Sequence, residues 1–175
     1  EALGVNTTGS DNVAIGRDAL DANTTASNNT AVGKSSLGGN TTGASNVAVG
    51  RSALLSNTTA SNNTAVGYQA GYTNTTGVNN LSLGYQAGYT NATSNYNTAV
   101  GTQSLANNTG SNNVALGQSA LFSNTTASNN TAVGYQAMTA NTTGTESVGI
   151  GNRALASQTT GRNTAVGFNA GQDIS

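Results

Sequence analysis

The sequence predicts an all-β protein, a parallel β-solenoid (β-roll) of about ten 17-residue rungs. The fifteen residues SNTTASNNTAVGYQA stand unchanged at 56–70 and at 123–137. A glycine closing an NTAVG-like phrase returns at Gly16, Gly33, Gly50, Gly67, Gly84, Gly101, Gly117, Gly134, Gly151 and Gly167, in steps of 17 or 16 residues. Before that glycine the residues alternate as a strand does, and after it come turn-forming residues.

The units are 11–27, 28–44, 45–61, 62–78, 79–95, 96–111, 112–128, 129–145, 146–161 and 162–175, preceded by a partial unit 1–10. As one line they read x-N-x-A-V-G-x-x-A-L-x-x-N-T-T-G-x, and stacking turns each position into a column. In N-T-A-V-G the third and fifth positions share one face and the second and fourth the other, which makes a short strand. The x-x-A-L segment predicts a second short strand, and N-T-T-G a turn. Both shortened units lose a residue in that turn, at Asn108-Thr109-Gly110 and after Gly161, so it is the adjustable loop.

The fifth column is apolar in every unit: Ile15, Val32, Val49, Val66, Leu83, Val100, Leu116, Val133, Ile150 and Val166. It is the expected core. The tenth column is Leu or Met except at Gly71, Gly88 and Gly171. Small residues fill the fourth column (Ala14, Ala31, Ala48, Ala65, Ser82, Ala99, Ala115, Ala132, Gly149, Ala165). A narrow coil buries little by itself, so this column is read as a place where neighbouring chains approach closely, the alternative being that alanine simply fits a tight interior.

Composition excludes several classes. The 175 residues include 27 Asn, 28 Thr and 23 Gly, no Cys, His, Pro or Trp, and carry a net charge of -1. Disorder does not require the fixed phase of valine and leucine seen here, and Asn, Thr, Ser and Gly disfavour helix interiors. With five scattered basic residues the chain makes a poor phosphate tracker, so nucleic acid is not an expected partner. No apolar run reaches membrane-spanning length, so direct membrane insertion is not expected either.

The phrases DNVAIG, SNVAVG, NNVALG and ESVGIG resemble the NSVAIG motif of trimeric autotransporter adhesin heads. NTAVGYQA followed by NTTG is similar to repeats of phage tail fibres and tail-fibre-domain surface proteins. The resemblance covers essentially the whole chain. It implies a left-handed β-roll, three chains side by side, and an extracellular or virion fibre that touches a host surface. It also implies core and interface roles at positions such as Val13, Ala14, Ile15 and Gly16. The adhesin heads use a shorter unit, and the enlarged NTTG loop is the departure here.

Catalysis is not expected, because without His or Cys the usual acid-base and nucleophilic groups are missing. The carboxylates are Glu1, Asp11, Asp18, Asp21, Glu146 and Asp173; Asp18 and Asp21, beside Arg17, read as a solvated pair. No metal site and no cofactor are expected. The N-x-T phrases at Asn6, Asn23, Asn40, Asn57, Asn74, Asn91, Asn124 and Asn141 match a glycosylation pattern, but their place in the turn suits an asparagine ladder in left-handed backbone better.

No charge falls between Ser52 and Thr145, and all six tyrosines lie in that window. Tyr68 and Tyr85 share one column and Tyr72 and Tyr89 another, with Tyr135, Gln69, Gln86 and Gln136 in matching positions. These are the candidates for contact with host-surface carbohydrate, Tyr68, Gln69, Tyr72, Tyr85, Gln86, Tyr89 and Tyr135 foremost. The competing reading of Tyr72 and Tyr89 is packing, since each follows a glycine in the leucine column. The functional expectation is a non-enzymatic structural and adhesive fibre module, extracellular and homotrimeric. A passive spacer is one alternative, and an ice-binding solenoid using paired threonines such as Thr7/Thr8 and Thr24/Thr25 is another. The array starts and stops part-way through a unit, which leads to the expectation of a stretch cut from a longer chain, and GQDIS breaks the loop pattern as the end of an array would.

Overall fold

The computed structural model describes residues 1–172, so Asp173 and most of the GQDIS break lie outside the described residues. Ten three-residue strands, β1 (Val13–Ile15), β2 (Thr30–Val32), β3 (Val47–Val49), β4 (Thr64–Val66), β5 (Leu81–Leu83), β6 (Thr98–Val100), β7 (Val114–Leu116), β8 (Thr131–Val133), β9 (Val148–Ile150) and β10 (Thr164–Val166), form one sheet in chain order. Every pairing is parallel and column-true, as in Val13 with Thr30, Ala14 with Ala31 and Ile15 with Val32. The 16-residue unit leaves the strand register intact, because Thr98 still pairs with Val114. The fold is the expected β-solenoid.

Only one strand forms per rung, however. The x-x-A-L segment is a turn, because its eighth and tenth columns take left-handed backbone: Ser52 has φ 58° and Leu54 φ 48°. Two left-handed residues so close together cannot run as an extended strand. Rung-to-rung bonding continues through the turn all the same, with Leu37 N–H donating to the Ala53 carbonyl at 3.0 Å. The closing glycine of each strand has a different need. Gly16 sits at φ 124°, and a Cβ there would come within 2.7 Å of the Gly33 carbonyl group, so only glycine permits this corner to stack.

The interior differs from the expected one. The fifth column is the outer face of the sheet: Ile15, Leu83, Leu116, Ile150 and Val166 are exposed, and Val32, Val49, Val66, Val100 and Val133 are half-buried. Of the two readings of the fourth column the structure has the tight interior, with Ala31, Ala48, Ala65, Ala115 and Ala132 fully buried. Strand alternation forces the two columns to opposite sides. The coil is narrow enough that methyl groups, and not branched side chains, fit opposite the buried leucines of the tenth column.

The other half of the interior is polar. Asn46 accepts from the Asn63 N–H at 2.9 Å and donates its own amide to the Ala60 carbonyl at 2.8 Å. Asn57, in the turn, donates to the same Ala60 carbonyl at 3.0 Å and to Asn40 Oδ1 at 2.8 Å. Two buried asparagine columns thus converge on one carbonyl per rung, and this is how so polar a chain satisfies its buried groups.

The rungs are of two alternating kinds. The third column reads Val13, Thr30, Val47, Thr64, Leu81, Thr98, Val114, Thr131, Val148, Thr164, with aliphatic and threonine residues in strict turn. In step with it, the end of the turn is glycine at Gly9, Gly43, Gly77, Gly110 and Gly144 and Ala or Ser at Ala26, Ala60, Ser94 and Ala127. A Cβ on Gly43 would overlap the Ala60 carbonyl oxygen of the next rung, and one on Gly77 that of Ser94. The structural repeat is therefore two rungs.

Candidate functional site

The surface carries two continuous stripes, and each follows from the column rule. One is the outer face of the sheet, columns three and five, made only of Val, Ile, Leu and Thr through all ten strands. The other lies just past the glycine corner. There the seventh column begins Arg17, Lys34, Arg51, Tyr68, Tyr85, all exposed, and Tyr135 recurs three rungs later.

The tyrosines stack along the rod. Tyr68 and Tyr85 have ring centroids 5.6 Å apart at 12° between planes, and Arg51 places its guanidinium 5.7 Å from the Tyr68 centroid. Beside them Gln86 donates to Gln69 at 3.0 Å and Gln103 donates to Gln86 at 3.3 Å, an amide ladder of which the sequence marked Gln69 and Gln86 but not Gln103. Stacked on Tyr85 and met by Arg51 on its other side, Tyr68 offers its outward edge and hydroxyl group, while Tyr85 has one face covered by Tyr68.

Tyr72 and Tyr89 form a second stack, 5.1 Å between centroids and 7° between planes. Both are half-buried. The space at Gly71 is instead taken from the rung below, where a Cβ on that glycine would meet Leu54 Cδ2 at 2.9 Å. Tyr135 stands apart from both stacks.

Other candidates resolve as structural groups. The turn asparagines Asn23, Asn40, Asn57, Asn74, Asn91, Asn124 and Asn141 are buried, with their amide nitrogens donating to main-chain carbonyls, which leaves no nitrogen free for a sugar in the folded chain. They form the expected ladder in two runs, Asn6 to Asn74 and Asn91 to Asn141. None of them is left-handed, a role taken by columns one, eight and ten. The first threonine of the turn is engaged too: Thr41 Oγ1 donates to the Thr58 carbonyl at 3.0 Å and Thr58 to Thr75 at 3.2 Å. The second threonine, as at Thr25, Thr42 and Thr59, is exposed, whereas the first is half-buried in some turns, as at Thr41 and Thr58, and exposed in others, as at Thr7, Thr109 and Thr125. Asp18 pairs with Arg17 at 3.2 Å, and Glu146 with Arg162 at 2.9 Å.

No family model, curated protein or solved structure matches the chain. Among the described residues there is no cluster of His, Cys, Asp or Glu suited to a metal ion, and no helix long and apolar enough to cross a membrane. Two features escaped the sequence reading. One is the basic start of the tyrosine column, concealed because charges were counted along the chain and not down the columns; the other is the Val/Thr alternation.

Proposed function

We propose that this chain is a non-enzymatic structural and adhesive module, a rigid length of an extracellular fibre in which three copies lie side by side. The observation that supports it is the uncharged outer face of the sheet. A single chain leaves Ile15 60% and Val166 69% exposed at its two ends and Leu83 and Leu116 exposed between them. Soluble monomers rarely leave a continuous apolar strip of this length uncovered.

The occupant is a second and third copy of the same chain. A partner that touches every rung must match a rise of about 4.8 Å per rung over ten rungs, and another copy does so by construction. Columns three and five, not the alanine column, are then the interface. Adhesion belongs to the exposed stripe past the glycine corner, where Tyr68, Gln69, Tyr85, Gln86 and Tyr135 present edges, hydroxyls and amides to host-surface carbohydrate. The resemblance of the NVAIG and NTAVGYQA phrases supports the extracellular setting. The ice-binding alternative rests on the second threonine of the turn, since the hydroxyl of the first is engaged within the rod.

Sedimentation mass tests the reading. A three-chain particle that Leu83→Glu/Leu116→Glu converts to monomers, with β circular dichroism retained, is the expected result. A wild-type chain that sediments as a monomer at micromolar concentration removes it.

A further inference from the structure

We propose that the first five positions of the seventh column are a binding stripe for an acidic glycan, a linear saccharide bearing carboxylate or sulfate groups. This deepens the adhesive reading above and rests on it for the setting, while requiring no particular number of chains. Arg17, Lys34 and Arg51 are three of the five basic residues in the chain. The rung-to-rung bonds superpose them: Ser35 N–H donates to the Arg17 carbonyl at 2.8 Å, Ser52 to Lys34 at 2.9 Å, Gln69 to Arg51 at 3.0 Å and Gln86 to Tyr68 at 3.0 Å. Five rungs span about 19 Å at the strand spacing.

Like charges set directly opposite on neighbouring strands destabilise a sheet. The chain offsets this only at one end, where Asp18 lies 3.2 Å from Arg17. Among the described residues no carboxylate lies within 4.0 Å of Lys34 or Arg51. At the far end of the rod, by contrast, Arg162 faces Glu146 of the preceding rung at 2.9 Å. A column of cations without counter-charge is a place where an anion restores what the fold leaves uncompensated.

The composition of the stripe selects the class of anion. Its charges stop after three rungs and pass, through the Arg51–Tyr68 contact, into two tyrosines flanked by the Gln69–Gln86–Gln103 amide ladder. Nucleic acid carries a phosphate at every step and rewards a longer basic track. An acidic saccharide carries charge intermittently and offers C–H surfaces and hydroxyls to tyrosine edges and amides.

The experiment is titration of the assembled wild-type protein with a heparin-derived sulfated oligosaccharide, alongside its desulfated, N-acetylated and carboxyl-reduced form, which carries no charge, and a DNA single strand of equal charge. Expected is binding that weakens as salt rises and falls about tenfold or more in Lys34→Gln/Arg51→Gln. Arg153→Gln/Arg162→Gln should bind as wild type. Both pairs are exposed, and circular dichroism with sedimentation checks that each variant folds and assembles as before. No binding by a correctly assembled protein overturns the stripe and leaves the fibre reading standing. Binding indifferent to Lys34 and Arg51, or stronger for DNA, overturns it too. Binding of the uncharged saccharide that depends on Tyr68 and Tyr85 alone keeps adhesion and overturns the acidic class.

Discussion

Leucine is an uncomfortable occupant of left-handed backbone, yet Leu20, Leu37, Leu54, Leu105, Leu121 and Leu155 all hold φ between 48° and 51°. Each accepts a cost of about 1–2 kcal/mol, because its side chain is fully or nearly fully buried against the alanine columns. Gly71, Gly88 and Gly171 relax that strain and lose the packing. The two effects separate in substitution. Leu121→Ala should lower stability by about 2–5 kcal/mol through the space it leaves, and Leu121→Gly should be no worse than Leu121→Ala, since glycine favours positive φ. Urea unfolding of the two variants measures this, and a glycine variant clearly weaker than the alanine one contradicts the backbone account.

At the scale of the rung, the units ending at Val78 and Asn95 are where the interior loses continuity. The buried apolar residues divide into one group from Ala19 to Ala70 and another from Ala87 to Leu155. The turn-asparagine ladder also breaks there, leaving Asn74 Oδ1 without a partner, while Asn91 turns to Ser94. Both tyrosine stacks span the same pair of rungs. The rings act as a staple where the leucine column is interrupted. A double-mutant cycle on Tyr72→Ala and Tyr89→Ala should show a coupling of about 0.5–1.5 kcal/mol, read from chemical denaturation; additive effects would mean that the rings do not support one another.

For the whole rod, the two-rung repeat decides which lengths are equivalent. Removing residues 28–61 deletes one rung of each kind and keeps glycine-ended turns facing alanine-ended ones. Removing 28–44 alone sets the turn ending in Ala26 against the turn ending in Ala60 and places Val13 beside Val47. The shorter deletion should therefore melt lower than the longer one, against the ordinary rule that a longer array is the more stable. Calorimetry on the two deletions tests it, and the reverse order would show that the alternation is not structural.

The sequence by itself determined the rung, its length and its phase, because a parallel stack superposes identical positions and so writes its period into the chain. It marked Asn57 as a ladder residue and Gly16 as a corner for the same reason. It did not determine which side of the strand faces inward. Alternation makes the Val66 side and the Ala65 side equally regular, and bulk argued for valine. Only closure of the coil settled it: the interior has room for a methyl group opposite Leu54, and the branched side chains are left outside, where another chain can cover them.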